Sequence, residues 1–402
     1  AATPSPSPRP THPTHPPKYT PTPTPALIPA ESAARGPFTT PASMDLIVTW
    51  LNSSAPGWLA VANGPGGSLA WSDYDKGFKS KQPYNPRHHD LSTNFVELKY
   101  CLRSLEKHGL MKYIRKIHIV HSDLYAPPNY LKKDHPRLQF VPHSVTFAHL
   151  PADVRAKGLP TFSRTSIDSQ LQHIPGLADW FLRLDDDFFM TNTLVKTDFW
   201  KAGKIQVHGG TISPVAAPCV RGSDTYIGPM QVAACLLGEK FGSKKRRYTD
   251  HAPVMGFRPA IEEMEKLWAA RFKATASRTE DDPADIFWSA FTTMYMVDTG
   301  RAEHSGKSYP PNYAELHTNA NSYCPRPCGG YARDIADSRL GNIRSFLEKS
   351  NSRNWVNLQG PGFDDAYRYR WNPKTREYSP KIEKLALAWW EKNYPRKTEF
   401  EV

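Results

Sequence analysis

From Met44 onward, short apolar runs alternate with stretches whose apolar residues recur at helical spacing. Asp45-Leu-Ile-Val-Thr-Trp50 reads as a buried first strand, followed by Leu51-Asn52 and a Gly/Pro/Ser-rich loop to about Asp75. Between Phe95 and His108, Leu98, Leu102 and Leu105 fall on one helical face, and Gly109 stops the helix. Arg115 to His121 is a second strand, Leu138 to Pro142 a short third, and Ser166 to His173 a helix ended by Pro175-Gly176. Trp180-Phe-Leu-Arg-Leu-Asp-Asp-Asp-Phe-Phe189 then carries a strand pattern into three consecutive carboxylates. The later chain is more helical, with periodic segments at Ala260–Lys273, Asp285–Val297, Asp337–Lys349 and Ile382–Asn393. The alternation predicts an α/β nucleotide-binding fold, a mainly parallel sheet with additional C-terminal helices.

Residues 1–43 break this pattern: Pro, Thr, Ser and Ala dominate, with almost no aliphatic residue before Leu27. Such a segment buries too little surface to offset its ordering entropy, so a disordered Pro/Thr-rich stalk, open to O-glycosylation, is expected ahead of one catalytic domain at 44–402. The 39% apolar content and 11 Trp in 402 residues supply a sizeable core for that domain. A formal charge of +12 favours anionic partners. Nucleic acid is set aside because no zinc-finger spacing, helix-turn-helix signal or aromatic RNA-binding signature accompanies the charge. The densest basic cluster, Lys244-Lys-Arg-Arg247, follows Gly242-Ser243 and is expected on an exposed loop. No run of 18 or more apolar residues predicts a membrane span, and no signal peptide is visible. Five Cys allow two internal bridges. Cys324 with Cys328 and Cys219 with Cys235 are the candidate pairs, leaving Cys101 as a buried thiol on a helix face. This usage fits a secretory-pathway lumen, Golgi-like in kind.

The candidate chemistry starts at Asp185, Asp186 and Asp187. Carboxylates at the C-terminal edge of a strand sit where open α/β sheets bind ligands. Three adjacent anions repel one another unless neutralised, and a hard divalent cation carrying a nucleotide diphosphate does that through oxygen ligands. An acidic turn facing water is the alternative. Trp50 and Asn52, just past the first strand, would flank a nucleotide lying over the same edge, although core packing is an equal reading for Trp50. Arg103 is open to two readings, a phosphate contact or a pair with Glu97 or Glu106 on its own helix.

Read in order, these segments resemble the Stealth family of sugar-phosphate transferases. Asp45-Leu-Ile-Val-Thr-Trp50-Leu-Asn52 is similar to the family's opening strand. Glu97–His108, Ile114–Val120, Val141-Pro-His143, Leu159-Pro-Thr-Phe162, His173-Ile-Pro-Gly-Leu177 and the Asp185–Asp187 edge form the most extensive match. Asp250-His-Ala-Pro253, Ser277-Arg278 and Pro283-Ala-Asp-Ile286 form a third block, and Asn354–Gln359 with Asp364-Asp365 a looser fourth. The chain departs from the family at Asp168-Ser-Gln-Leu-Gln-His173, at His121-Ser-Asp123 and at Asp185.

The resemblance implies a GT-A-like nucleotide-sugar transferase fold and a specific reaction. An acceptor hydroxyl of a glycan or glycoprotein would attack the β-phosphorus of a UDP-sugar, transferring hexose-1-phosphate and releasing UMP. Phosphoryl transfer asks mainly for positioning and charge stabilisation. Asp186 and Asp187 are expected to bind Mg²⁺ or Mn²⁺, with Asp185 a third ligand or a hydrogen-bond acceptor. His251 is expected to be the base and Arg278 a bidentate clamp on the diphosphate. Asp285 is expected at a helix N-terminus, either as a favourable terminal charge or completing the metal or acceptor site.

Overall fold

The computed structural model describes residues 43–52, 55–62, 97–191, 193, 199–222, 226–249, 253–305, 313–317, 355–359 and 380–402. Strand β1 (Met44–Thr49) is followed by helix α1 (Pro56–Ala62), helix α2 (Glu97–Lys107), β2 (Ile114–His121) and β3 (Leu138–Pro142). After α3 (His143–Thr146), α4 (Ala152–Gly158) and α5 (Arg164–Asp168) comes β4 (Trp180–Asp185), and the turn Asp186-Asp187 leads into β5 (Phe188–Met190). Short strands β6 (Trp200–Lys201), β7 (Lys204–Val207) and β8 (Gly210–Ile212) precede the long helix α6 (Ile227–Phe241). Then come β9 (Arg246–Tyr248), β10 (Val254–Phe257), α7 (Arg258–Leu267), α8 (Ala269–Ala276) and α9 (Trp288–Asp298). Strands β11 (Ala302–His304), β12 (Tyr313–His317) and β13 (Trp355–Gln359) and helix α10 (Pro380–Asn393) complete the described elements.

The central sheet has the order β10-β4-β1-β2-β3. Strands β1 to β4 run parallel, and β10 closes the β4 edge antiparallel. Both faces are apolar, as helices on both sides require. Leu46 and Val48 of β1, with Leu182 and Leu184 of β4, join Leu98, Cys101, Leu102 and Leu105 of α2 in one core cluster. Successive strand residues point to opposite faces, so Ile47 and Phe181 join Val120, Val141, Ile261 and Trp288 in a second cluster. At Gly256 the backbone comes so near Phe181 that a Cβ would stand 2.3 Å from its ring, which fits the absence of a side chain there. Three further small sheets carry β11-β7-β6, β12-β13-β5 and β8-β9.

Several elements differ from the expectation. The segment 166–173 is not one helix: α5 ends at Asp168, and a separate 3-10 turn spans Leu171–His173. The segment 260–273 is broken at Trp268, whose indole turns inward to pack on Phe291 and Tyr295, with ring centroids 4.9 and 5.9 Å away. Helix α9 starts at Trp288, so Asp285 does not open it. Nor is Lys244–Arg247 wholly an exposed loop: Arg246 lies in β9, buried, with its Nε 2.6 Å from Asp298. The stalk, the Cys324 and Cys328 pair, the Asp337–Lys349 helix and Asp364-Asp365 lie outside the described residues. Cys219 and Cys235 form a disulfide and Cys101 is a buried free thiol.

Arg103 requires a correction. Its guanidinium makes a two-pronged pair with Glu401, Nε to Oε1 at 2.8 Å and Nη2 to Oε2 at 2.6 Å, and also donates to the Tyr394 carbonyl. The partner is neither a phosphate nor Glu97 or Glu106. The pair docks the C-terminal segment on α2, where Trp390 stacks on Tyr100 and the Tyr394 hydroxyl donates to Met190 O at 2.7 Å. The two side chains are 8% and 4% exposed, so removing one strands a buried charge. Arg103→Ala should therefore lower stability by about 3–5 kcal/mol in denaturant melts, with nucleotide affinity of the folded fraction unchanged. A stable variant with weakened nucleotide binding would return Arg103 to the ligand site.

Candidate active site

The four parallel strands end at one edge: Thr49 is in register with Asp185 on β4 and Val120 on β2, and His121 with Pro142 on β3. In β4 the only charged residue between Trp180 and Asp185 is Arg183, 5% exposed. A buried guanidinium has to be paired. Its Nη2 lies 3.0 and 3.1 Å from the two oxygens of Asp168 on α5, and its Nη1 donates to Asp185 Oδ2 at 2.9 Å. Burial opposes the charge, but the Asp168 and Asp185 carboxylates hold Arg183 protonated, above the usual guanidinium pKa. Thr49 Oγ1 donates to the other Asp185 oxygen at 3.1 Å. Asp185 is thus anchored by Arg183 of its own strand and by Thr49 of the neighbouring β1.

Asp186 and Asp187 form the turn that follows, half-buried like Asp185. Cys101 of α2 lies close to them: burial raises its thiol well above the usual pKa, and the Asp186, Asp187 and Asp185 carboxylates raise it further. The turn therefore sits over the helix that packs beneath the sheet.

A second acidic cluster hangs on the opposite end of α5. Thr165 Oγ1 lies 2.7 Å from Asp285 Oδ2 and 3.1 Å from Asp281 Oδ1, and Ser163 Oγ donates to the same Asp281 oxygen at 2.8 Å. Arg278 Nε is 3.6 Å from Asp285 Oδ1, and its Nη2 is 3.8 Å from Asp282. Thr165 and Asp168 are three residues apart in one helix and so share a face. That face joins the Arg278–Asp285 pair to the Arg183–Asp185 pair. Asp285 is 2% exposed, and burial pushes its carboxyl up to about 8 despite the hydrogen bonds from Thr165 and Asp282. At neutral pH it is a protonated acid, held by the turn in which its N–H donates to Asp282 O. The 219–222 segment backs that turn: Gly222 N–H donates to Pro283 O at 2.9 Å, and Cys219 is tied by its disulfide to α6.

At the β1–β2 side of the edge, the Trp50 ring meets Tyr125 edge-on, with centroids 5.2 Å apart, and His121 at 6.5 Å. Trp50 and Asn52 are half-buried past Thr49, at the same edge as Asp185. Burial lowers the pKa of His121 and takes His143 down to about 4, so both imidazoles are neutral there. Asp123 accepts from the Ser144 backbone N–H and hydroxyl. His251 and Asp250 lie outside the described residues. Val254, three positions after His251, is in register with Arg183.

The structure thus brings Trp50, Asn52 and Asp185–Asp187 to one edge, pairs Arg278 with Asp285 through α5, and leaves Arg103 elsewhere. Arg183, Asp168, Thr165, Asp281, His121 and His143 were not expected as parts of this region. A lone arginine inside an apolar strand was the available signal for the first of them.

A family model described as Stealth protein CR2, conserved region 2, matches residues 92–208, a stretch that includes α2, β2 to β4 and the Asp185–Asp187 turn. Residues 92–208 thus carry the Stealth family's conserved region 2. The chain is 30% identical over 324 residues to capsular polysaccharide phosphotransferase SacB of Neisseria meningitidis serogroup A, covering 76% of this chain and 55% of the relative. Exopolysaccharide phosphotransferase SCO6023 of Streptomyces coelicolor is 31% identical over 264 residues, covering 64% of this chain and 41% of the relative. The chain spans about half the length of the curated relatives it matches. Among solved structures, the galactosyltransferase LgtC with donor and acceptor sugar analogues aligns at a TM-score of 0.34 and 12% identity over 86% of this chain and 96% of that one. The bifunctional glycosyltransferase WbbM aligns at 0.32 and 11% identity over 90% and 53%. Likeness of that size carries no weight for chemistry, and the α/β class rests on the strand order of the sheet itself.

The raised Asp285 pKa fixes a sign. Between the ordinary carboxylate range and about pH 8 the folded chain holds a proton that the unfolded chain has lost, so stability falls as pH rises through that window. Asp285→Asn removes this contribution. Its melting temperature should decline less than that of the wild type between about pH 5 and about pH 7, a window about one pH unit inside those limits. Parallel melting curves across that range would show that Asp285 is ionised when folded.

Proposed function

We propose that this chain transfers hexose-1-phosphate from a UDP-sugar to a hydroxyl of a glycan or glycoprotein, in a metal-dependent reaction that releases UMP. The observation that carries the proposal is the turn Asp186-Asp187 following an Asp185 braced by Arg183, at the carboxyl edge of a parallel sheet. The donor set there is oxygen only, which suits Mg²⁺ or Mn²⁺ rather than a softer ion. Asp186 and Asp187 would hold the ion. When bound, it would neutralise the diphosphate and stabilise charge developing at phosphorus.

In this reading Trp50 and Asn52 flank the nucleotide and Arg278 holds phosphate oxygens. His251 takes the proton from the acceptor hydroxyl as its oxygen bonds to the β-phosphorus. The bond from that phosphorus to the bridging oxygen breaks, and UMP leaves with the electron pair. Asp285, protonated at neutral pH, would orient Arg278 without competing for the cation. The net charge of +12 supports anionic donors and acceptors. The Cys219–Cys235 disulfide supports an oxidising, Golgi-like lumen as the site of action. Among the described residues no helix is long and apolar enough to cross a membrane.

The test is nucleotide release from a panel of UDP-sugars with a mixed glycan acceptor pool, with and without Mg²⁺ or Mn²⁺. UMP that appears only with metal and acceptor is expected. UDP in its place would make the chain an ordinary glycosyltransferase, and absence of both products would favour a glycan-binding protein. Asp187→Asn should abolish turnover and metal-dependent nucleotide binding while its circular dichroism stays that of the wild type. His251→Ala should slow turnover roughly 10²–10⁴-fold with donor affinity retained. Equal loss of both would remove His251 from the role of base.

A further inference from the structure

We propose that His149, His173 and Glu265 form a second metal site, for Zn²⁺ or a similar late first-row divalent cation, separate from the strand-edge carboxylates. The three side chains come from different segments: His149 follows α3, His173 closes the 3-10 turn before β4, and Glu265 stands in the last turn of α7. One ligand atom from each lies within 4.8 Å of the other two. His173 Nε2 is 2.9 and 3.1 Å from the Glu265 oxygens, and His149 Nε2 is 3.7 Å from Oε1. Zinc bonds of 2.0–2.1 Å at tetrahedral angles put ligand atoms about 3.3 Å apart, which these separations bracket.

Two further observations point to a cation. The imidazoles of His149 and His173 stack at a centroid distance of 3.4 Å and 21°, which turns two nitrogen ligands to one carboxylate. His149 Nδ1 lies 3.1 Å from the Thr146 carbonyl. A donated Nδ1–H leaves Nε2 as the lone-pair nitrogen, the arrangement that orients metal-binding histidines elsewhere. Glu265 is itself oriented by Gln172, whose amide donates to Oε2 at 3.1 Å.

The donor set selects the ion. Two imidazoles with one carboxylate favour zinc and its neighbours over Mg²⁺ or Ca²⁺, which prefer oxygen throughout. Side-chain exposures of 33%, 25% and 19% leave one side open for water as a fourth ligand. The ion would pin α7 and the turn before β4 to the α3 connection, over the sheet face that carries Ile47 and Phe181. No residue is shared with the Asp185–Asp187 edge, so the site stands or falls independently of the proposed reaction.

The test uses the full chain stripped with chelator, then titrated with ZnCl₂ by calorimetry in excess Mg²⁺, with melting temperature as the second readout. Tight binding of one zinc that Mg²⁺ does not displace is expected, together with a higher melting temperature. His149→Ala and His173→Gln should each weaken zinc by more than the roughly 10–100-fold that loss of an outer-shell partner costs, and should abolish the thermal shift. Asp187→Asn should bind zinc as the wild type does. Wild type that takes up no zinc, histidine variants that bind it undiminished, or zinc binding lost in Asp187→Asn would each overturn the site.

Discussion

A guanidinium buried inside the central sheet is the constraint on which the ligand edge depends. Arg183 sits where a parallel strand tolerates only apolar side chains, and its charge is bearable because Asp168 and Asp185 close on it from two sides. Remove the guanidinium and two carboxylates are left facing each other without a cation, at a cost of about 3–5 kcal/mol. The pairing fixes more than stability. It sets where β4 ends, because Asp185 cannot drift with one oxygen on Arg183 and the other on Thr49. It also holds α5 against the sheet, and α5 carries Thr165 to Asp285.

The acids of this region therefore divide by task. Asp45 at the amino end of β1 is consumed by Arg115, His118 and the Ala178 N–H; although burial raises its carboxyl, these partners pull it below the usual range. Asp185 and Asp168 are spent on Arg183. Asp285 is neutralised by its own burial. The turn residues Asp186 and Asp187 follow at the strand edge, half-buried, and the reading of the site rests on their place there.

Much of the frame was legible because it is written in local pattern. Strands β1 to β4 and helix α2 follow apolar runs and helical spacing closely, and Cys219 with Cys235 was one of two candidate pairs among the five Cys. What was not legible depends on partners distant in sequence. Trp268 breaks a periodic segment because its ring is wanted between Phe291 and Tyr295. Asp285 reads as a helix opener until Thr165, 120 positions earlier, is seen to bind it. Arg103 reads as a phosphate contact or as the partner of Glu97 or Glu106 until Glu401, 298 positions later, is folded against it. No spacing rule encodes such pairs. In the same way, His149, His173 and Glu265 meet only once α7 has packed on the turn before β4.

The cross-link at Cys219 stands behind the turn that buries Asp285. The disulfide holds the start of the 219–222 segment, Gly222 holds Pro283, and two residues further on Asp285 keeps its proton only because water is excluded. The cross-link therefore braces, from behind, the turn that keeps this acid out of water.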